Sequence, residues 1–353
     1  MRVVIDCSGG DRAPEAPIEG AMLAQKDFGA DIIFVGNENE IRKHAGDGAR
    51  IIASEDDITN EDKALDAVKR KKNSSMVLGL KMVKDGEADA FVSAGNTGAL
   101  VAASTLYVGR LKGVLRPSLA TLLPTKKGAM MLIDAGANLE CKPEFLKQFG
   151  VMGAIYMKKV HNINLPKVGI LNIGAEAEKG LDNIKEAAKL LEKGNHPVAF
   201  GTTPPMEGNF KGAGLPRRFA LRNDEVGYEF AGNVEARDFA DGAIDVLVSE
   251  GFSGNVMLKS VEGAASFMKD EMKAAIYSSF LSKIGGALLK KSFNSMLDKL
   301  DYTKYGGAPL IGTDGVVVKA HGSSNALAFY NAIRQAKLFW ESGVNEEIAE
   351  ELG

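Results

Sequence analysis

Short apolar runs alternate with longer stretches of helical periodicity along the whole chain. This alternation is typical of a mostly parallel sheet with helices packed on both faces, so we expect one α/β domain over residues 1–353. The predicted strands are 2–6, 32–36, 90–93, 129–134, 168–173, 228–232, 244–249 and 316–319.

Nearly every predicted strand ends in glycine or a small polar residue. Examples are Gly9-Gly10-Asp11, Gly95-Asn96, Gly232-Asn233 and Gly254-Asn255. Because the carboxyl ends of parallel strands form the crevice in which ligands bind, the repeated endings predict one shared site at one edge of the sheet.

Two segments depart from this alternation of short apolar strands and helices. Residues 195–226 are rich in proline, glycine and arginine and predict a long surface excursion, either functional or a lineage-specific decoration. Residues 259–302 predict two helices joined around 278–286, with apolar side chains concentrated near the junction. Such a protruding hairpin either packs against a partner or dips into an apolar phase.

Composition narrows the classes of partner and compartment. With a formal net charge of −3, the chain has no overall positive field that would attract nucleic acid. Its two cysteines show neither a CxxC nor a metal-ligand spacing, which predicts a reducing, cytoplasmic compartment. Neither a signal-peptide pattern nor an apolar stretch of roughly 18 residues is present, so we expect membrane contact only from the surface.

Two strand-to-helix turns have the composition of anion sites. Residues 93–98 lead into a predicted helix over 99–108, where Asn96, Thr97 and backbone N–H groups meet a helix N-terminus. Residues 321–325 have the same construction. The alternative for each is a tight turn with a helix cap.

Phosphate is the anion that these turns favour when they are taken together. Two such turns, combined with the glycine turns at 9–11 and 251–255, make a phosphate or a phosphorylated ligand the better interpretation. A nucleotide has less support, because neither GxGxxG nor GxxxxGK[ST] occurs in its proper context.

Polar side chains at other strand ends are further candidates. Lys179 places a cation where the crevice is expected, although a surface lysine at a helix start is the alternative. Asn233 can donate to a carbonyl oxygen or cap a turn. The basic run at 69–72 is followed by Asn73 and Ser74 and can bind an acidic partner or a substrate phosphate. The alternative is a solvated helix face.

Other reactive side chains suggest less. The four histidines show no metal spacing, and only His321 lies beside a motif, so we expect no metal centre. Cys7 lies in a glycine-rich turn with no nearby histidine to activate it, which argues against a cysteine nucleophile.

Ten motifs, in order along nearly the whole chain, resemble those of the bacterial phosphate acyltransferase family, usually called PlsX. They are Asp6–Pro14, Lys71–Ser75, Ser93–Gly98, Asp134–Asn138, Leu171–Gly174, Glu178–Gly180, Gly232–Glu235, Gly251–Asn255, Tyr305–Gly307 and Lys319–Ser324. The match departs from the family at Cys7-Ser8, where the family usually carries Ala-Met, and in an additional segment around 202–226.

The resemblance implies a fold, a reaction and partners. The fold is a three-layer, Rossmann-like α/β fold akin to isocitrate dehydrogenase and phosphotransacetylase. The reaction moves a fatty acyl group from acyl carrier protein to inorganic phosphate, without a cofactor, and supplies acyl phosphate for phospholipid synthesis. The family also implies a homodimer, peripheral contact with the inner face of the cytoplasmic membrane and a downstream acyl-phosphate:glycerol-3-phosphate acyltransferase.

The resemblance also implies roles for residues. Lys179 and Asn233 match the family's active-site lysine and asparagine. The residues expected to bind substrate, from the turns and the motifs together, are Gly9, Gly10, Asp11, Asn73, Ser74, Gly95, Asn96, Thr97, Gly98, Asn138, Gly254, Asn255, His321, Ser323 and Ser324. The expected membrane tip consists of Ile276, Tyr277, Phe280, Leu281 and Ile284.

Three alternatives stay open. A short-chain acyl-coenzyme A phosphotransacylase would use the same chemistry on a different acyl donor. A decarboxylating dehydrogenase would share the fold, although the chain shows neither a paired-aspartate metal site nor a nicotinamide fingerprint. A catalytically silent membrane adaptor would use only the hairpin.

Overall fold

The computed structural model describes residues 1–194, 227–300 and 306–353. The predicted excursion at 195–226, with the additional segment around 202–226, lies outside the described residues, and so does Tyr305. Among the helices in these three ranges, none has the length and apolar character required to span a bilayer.

The described strands form one sheet, and all the predicted strands are confirmed. In chain order they are β1 Arg2–Asp6, β2 Asp31–Gly36, β3 Ile51–Ala53, β4 Ala90–Ser93, β5 Ser118–Thr125, β6 Gly128–Ile133, β7 Lys167–Asn172, β8 Glu229–Glu235, β9 Val246–Val248, β10 Ala308–Ile311 and β11 Val316–Lys319. Strands β3, β5 and β10 were not predicted from the sequence.

The sheet changes direction near its middle. Its order is β3-β2-β1-β4-β11-β10-β5-β6-β9-β7-β8. Strand β10 is antiparallel to β11 and to β5, and β5 is antiparallel to β6, whereas the other pairs are parallel. The three antiparallel pairs divide the sheet into two parallel halves that run in opposite directions. One half is β3-β2-β1-β4-β11, and the other is β6-β9-β7-β8. Because of β5 and β10, which were not predicted, the carboxyl ends of the strands do not all lie at one edge of the sheet. The expectation of a single shared edge was therefore wrong.

Helices cover both faces of this sheet. They are α1 Glu15–Phe28, α2 Glu38–Ala45, α3 Ala64–Arg70, α4 Ser75–Lys84, α5 Thr97–Ala103, α6 Pro143–His161, α7 Asp182–Lys193, α8 Gly251–Tyr277, α9 Phe280–Leu300, α10 Ala326–Glu341 and α11 Val344–Leu352. A π-helical turn, Ser104–Val108, continues α5, and a 3-10 turn, Ala236–Asp241, follows β8.

The alternation of side chains along the central strands creates the three layers. In β1, Val3 and Ile5 join a core with α1, α6, α10 and α11, whereas Val4 faces a second core with α3, α4 and α5. Successive strand residues point to opposite faces, so a continuous apolar strand is buried on both sides. The expected helix–sheet–helix architecture is confirmed.

The hairpin formed by α8 and α9 extends away from this body. Helix α8 buries only Gly251, Gly254 and Met257, all near its start. The predicted junction over 278–286 is shorter in the structure, because α9 already begins at Phe280. Gly286 permits close packing of the two helices, since a Cβ there would lie 2.5 Å from Ile276 Cγ2.

Candidate active site

A buried carboxylate, Asp6, connects three segments at the end of β1. Its Oδ1 accepts hydrogen bonds from Ser75 Oγ at 2.7 Å and from Ser8 N at 3.0 Å, and its Oδ2 accepts one from Ser93 Oγ at 2.6 Å. Burial raises the pKa of Asp6, and the three donors oppose that rise. The carboxylate therefore fixes the end of β1 against the end of β4 and the start of α4.

Three strand-end loops meet above Asp6, and we call Gly9–Asp11, Ser93–Gly98 and His321–Ser324 together the first loop cluster. A Cβ added to Gly9 would lie 2.5 Å from Gly95 N, so only glycine allows this approach. Gly10 has a φ of +101°, and Asp11 N donates to Gly322 O at 2.8 Å. The structure thus brings together the predicted turns after β1, β4 and β11.

His321 connects this cluster to helix α8. Its Nε2 lies 3.1 Å from Lys259 Nζ, and its Nδ1 lies 2.8 Å from Ser323 Oγ. Glu262, one turn further along α8, accepts a hydrogen bond from Lys259 at 2.8 Å. Burial, followed by the charge of Lys259, lowers the pKa of His321, so the ring is neutral near pH 7.

A lysine lies beneath the same loops. Lys319, the last residue of β11, is 8% exposed, and its Nζ donates to Ala94 O at 3.2 Å and to Ala320 O. Burial lowers the pKa of Lys319 to about 8, and the charge of Asp6 opposes this shift. In the described part of the chain, no ion pair joins this ammonium to a carboxylate.

Several predicted ligand side chains already have protein partners. Asn96 Oδ1 accepts from Ala99 N at 2.9 Å, so this residue is the N-cap of α5, which begins at Thr97 and not at Ala99. Asn73 Nδ2 donates to Glu55 Oε2 at 2.8 Å. Asn96 therefore caps a helix, which was the alternative to a ligand role. Substrate binding by Asn96, and by Thr97 and Gly98 in the first turn of α5, stays a prediction.

Two buried serines differ in their contacts. Ser74, the N-cap residue of α4, buries its hydroxyl without a hydrogen-bond partner among the described residues. Ser324 is 4% exposed, and its backbone N donates to His321 O at 3.0 Å, which closes the turn before α10. Neither side chain is open to solvent, so direct substrate contact by Ser74 or Ser324 stays a prediction.

A second buried carboxylate, Asp134, organises the loop after β6. Its Oδ1 accepts from the backbone N of Leu119, Gly136 and Ala137, and its Oδ2 accepts from both nitrogens of Asn138. Asn138 Nδ2 also donates to Pro117 O at 2.8 Å. The amide of Asn138 therefore holds the loop in place.

Gly254 and Asn255 lie within the first two turns of α8, not in an irregular loop after β9. The helix begins there because its first turn packs directly on the Asp134 loop. A Cβ on Gly254 would lie 1.9 Å from Asp134 O, and Gly251 N donates to Asn138 O at 2.7 Å. Gly254 is thus required by close packing, and any contact of either residue with substrate stays a prediction.

Lys179 lies on an exposed loop, Asn172–Gly180, that follows β7 and that we call the Lys179 loop. Its main chain is held at both ends: its N donates to Glu176 O at 3.1 Å, and its O accepts from Asn172 Nδ2 at 3.0 Å. Gly180 has a φ of +88°, and a Cβ there would lie 2.1 Å from Asn172 Oδ1. The backbone is therefore positioned, while the ammonium group is exposed and makes no hydrogen bond or ion pair with the described residues.

Asn233 contacts the same loop from strand β8. Its Nδ2 donates to Glu176 O at 2.7 Å, while its Oδ1 is buried without a partner among the described residues. The predicted strand end at 232 is corrected, because β8 continues to Glu235 and pairs Asn233 with Ile170. Gly232, with a φ of +83°, lies next to the register shift that permits this pairing. The backbone N of Lys179 and the side-chain amide of Asn233 thus donate to the same acceptor, Glu176 O.

Contacts link the two halves of the sheet. Asn183, at the start of α7 beyond the Lys179 loop, donates to Glu250 Oε1 at 2.7 Å, immediately before α8, and Lys259 of α8 reaches His321. The described contacts therefore run from α7 through Glu250 and α8 to the first loop cluster. That the Lys179 loop and the first loop cluster form one binding site stays a prediction.

Comparison with known proteins identifies the family. The family model described as "Fatty acid synthesis protein" matches residues 1–217 and 215–347. The chain belongs to this family. Two similar relatives are each named "Phosphate acyltransferase": one from Alkaliphilus oremlandii is 46% identical over 99% of this chain and 97% of its own length, and one from Thermoanaerobacterium thermosaccharolyticum is 42% identical over 100% and 97%.

Solved structures confirm the fold. The EutD phosphotransacetylase from Staphylococcus aureus has a TM-score of 0.57 at 16% identity, covering 96% of this chain and 94% of its own. A branched-chain phosphotransacylase from Enterococcus faecalis has a TM-score of 0.56 at 15% identity, covering 97% of this chain and all of its own. At these identities the likeness concerns the fold alone.

Three polar residues of this family member were missing from the predicted site. Lys259 and Glu262 lie on α8, where a charged helix residue gives no signal of a distant contact. Lys319 was part of a quoted motif, and one signal was available: it ends the run Val316-Val317-Val318 of a central strand, where a lysine is costly to bury.

Both cysteines, Cys7 and Cys141, are buried free thiols. Cys7 is 3% exposed, its Sγ lies 3.6 Å from Ile5 O, and burial raises the pKa of its thiol well above the usual range. Burial also raises the pKa of Cys141 to about 12. Both thiols are therefore protonated near pH 7 and poorly nucleophilic. The described ranges contain no group of three or more His, Cys, Asp and Glu side chains placed to hold a metal ion.

Proposed function

We propose that this protein transfers a fatty acyl group from the thioester of acyl carrier protein to inorganic phosphate, and that the acyl phosphate serves phospholipid synthesis. The observation that carries the acyl transfer to phosphate is the 46% identity, over 99% of the chain, to a relative named phosphate acyltransferase. Acyl carrier protein as the donor is supported by the motif resemblance.

The reaction balances without a covalent enzyme intermediate. A phosphate oxygen attacks the thioester carbonyl carbon, the C–O bond forms, and the C–S bond breaks as the tetrahedral intermediate collapses. The leaving thiol has an unperturbed pKa near 8.5, so its thiolate departs with little acid assistance. The protein's task is therefore to hold phosphate close and to stabilise the developing oxyanion.

The proposed roles follow from the geometry around Glu176. The ammonium of Lys179 has no described partner and is available to an anionic oxygen, so we assign it, together with the glycine-rich turns, to phosphate. Asn233 uses one N–H on Glu176 O and retains a second N–H. That N–H, or a backbone N–H, receives the oxyanion.

The function is tested with the purified full-length protein. Acyl carrier protein thioester is incubated with and without inorganic phosphate, and free thiol and hydroxylamine-trapped acyl phosphate are measured together. We expect equal amounts of both products, and only with phosphate present. A silent membrane adaptor would release neither product, and a short-chain phosphotransacylase would prefer acetyl-coenzyme A as the donor.

The hairpin supports peripheral contact with a membrane. Phe280 and Leu281 are 77% and 79% exposed at its tip, and Tyr277 and Ile284 are also exposed, whereas Ile276 packs on Gly286. Three exposed lysines, Lys283, Lys290 and Lys291, flank these side chains. An apolar tip with flanking cations fits the inner face of an anionic membrane, where each lysine adds about 1 kcal/mol.

Membrane contact is tested by flotation with phosphatidylglycerol vesicles. Replacing both Phe280 and Leu281 by aspartate should abolish flotation, because the tip would then carry charge into the acyl region. Leu23→Asp, at an exposed position of α1, is the matched control and should float like the wild type. Unchanged flotation of the tip variant would assign the membrane contact to another surface.

A homodimer and a downstream enzyme complete the proposal. Light scattering should give twice the chain mass of 37.5 kDa. An acyl phosphate is a reactive mixed anhydride, so release near a downstream acyl-phosphate:glycerol-3-phosphate acyltransferase would limit its hydrolysis. A monomer at micromolar concentration would contradict the first part.

A further inference from the structure

Lys319 is a buried cation whose hydrogen bonds leave one donor over. An ammonium group has three N–H donors, and two of those of Lys319 point to Ala94 O and Ala320 O. Ala94 directly follows β4 and Ala320 directly follows β11, so Nζ lies where these two neighbouring strands end, beside the turns of the first loop cluster. No described residue accepts the third N–H.

Burying this charge is costly in the absence of an anion. Two carbonyl oxygens solvate an ammonium only partly, and an isolated buried charge destabilises the folded state. The charge of Asp6, at the end of β1, favours the ammonium more than that of Asp11 does, but the two Asp6 oxygens already accept three hydrogen bonds and form no ion pair with Lys319. The depressed pKa of Lys319, about 8, is consistent with this incomplete compensation.

Charged groups from three elements surround the lysine. They are Asp6 at the end of β1, Asp11 in the turn that follows, and Lys259 of α8, whose charge repels that of Lys319. Lys259 is itself neutralised by Glu262 at 2.8 Å and contacts His321. Lys319 is thus the cation of this group that lacks a carboxylate partner.

We propose that Lys319 binds the inorganic phosphate substrate through its third N–H, which makes the first loop cluster a phosphate site. This inference rests on the proposed function and adds a second cation to Lys179. A Cβ at Gly9 would lie 2.5 Å from Gly95 N, and a Cβ at Gly10 would lie 2.9 Å from Ala94 Cβ, so the turn beside the strand ends carries no side chain at these two positions. A tetrahedral oxyanion bound to this turn meets backbone and ammonium groups.

The test separates phosphate binding from donor binding. Lys319→Met keeps an unbranched side chain that is one atom shorter and removes its charge. Lys84→Met, which removes an exposed lysine paired with Asp314 at 3.1 Å, is the control. The Michaelis constant for phosphate is measured at saturating acyl carrier protein thioester, and the constant for the thioester at saturating phosphate. A thermal shift by inorganic phosphate alone is recorded for each protein.

We expect Lys319→Met to raise the Michaelis constant for phosphate about 100-fold, as for the loss of one partner of a buried charge pair. The constant for the thioester should change little, and the thermal shift by phosphate should disappear. The Lys84→Met protein should match the wild type in all three. An unchanged constant for phosphate, or an undiminished thermal shift, would overturn the inference.

A second measurement applies even if Lys319→Met fails to fold. The wild-type kcat/KM for phosphate should fall as pH rises through about 8, because the ammonium form that binds phosphate is lost there. A flat profile between pH 7.5 and 9 would overturn the inference. Failure of the proposed function is distinct, since it would appear as a wild type that forms no acyl phosphate at all.

Discussion

The first loop cluster and the Lys179 loop both follow strand ends, but they hold their charged groups in opposite ways. Asp6 and Lys319 are buried and surrounded by hydroxyl and carbonyl groups, whereas the Lys179 side chain is exposed on a loop fixed only through its backbone. We therefore expect a substitution in the first region to change folding and binding together. We expect a substitution of Lys179 to change catalysis without changing folding.

The largest expected effect on folding is that of Asp6→Ala. It leaves two buried hydroxyls and Ser8 N without their acceptor, so the free energy of unfolding should fall by roughly 3 kcal/mol. Urea denaturation measures the change. Asp47→Ala, at an exposed loop position, is the control. If the two variants unfold at the same urea concentration, the carboxylate does not hold the first loop cluster together.

Lys179→Ala should act on catalysis and not on folding. The side chain makes no hydrogen bond or ion pair with the described residues, so the unfolding curve should match that of the wild type. Turnover should fall about 100-fold or more, as when an electrostatic stabiliser is removed. Lys189→Ala, an exposed lysine on α7, controls for the loss of a surface charge. Near-normal turnover would remove Lys179 from the mechanism.

Gly180→Ala should have a smaller, intermediate effect. A Cβ at a φ of +88° is strained and would lie 2.1 Å from Asn172 Oδ1, so the Lys179 loop must shift. We expect a loss of stability of about 1 kcal/mol and an activity loss smaller than that of Lys179→Ala. Gly48→Ala, in open space, is the control. Full activity would show that the exact path of this loop is unimportant.

The sequence predicted the parallel parts of the fold better than the connecting parts. Continuous apolar runs such as Val316-Val317-Val318 identify central strands because both of their faces are buried. Strand β5 was missed since it carries Pro124 and half-buried positions, and β10 was missed since one of its four residues is Pro309. These two strands reverse the sheet, so the position of the strand ends could not be predicted without them.

The candidate site could be predicted where the composition of a single turn identifies it. Gly9, Gly10, Gly95 and the loop with Lys179 stand out by composition, and the structure packs Gly9 against Gly95 and Gly10 against Ala94 and Gly322. The contact between Lys259 and His321 joins residues that are 62 positions apart, and no local pattern encodes it. Likewise, the capping role of Asn96 depends on where α5 begins, which differed from the prediction by two residues.

The most direct test of the account is a single-turnover experiment with enzyme in excess over acyl carrier protein thioester. Without phosphate, direct attack predicts no release of thiol and no acylated enzyme. Addition of phosphate should then release one thiol and one acyl phosphate per thioester. A burst of thiol in the absence of phosphate, with the acyl group attached to the protein, would contradict direct attack by phosphate.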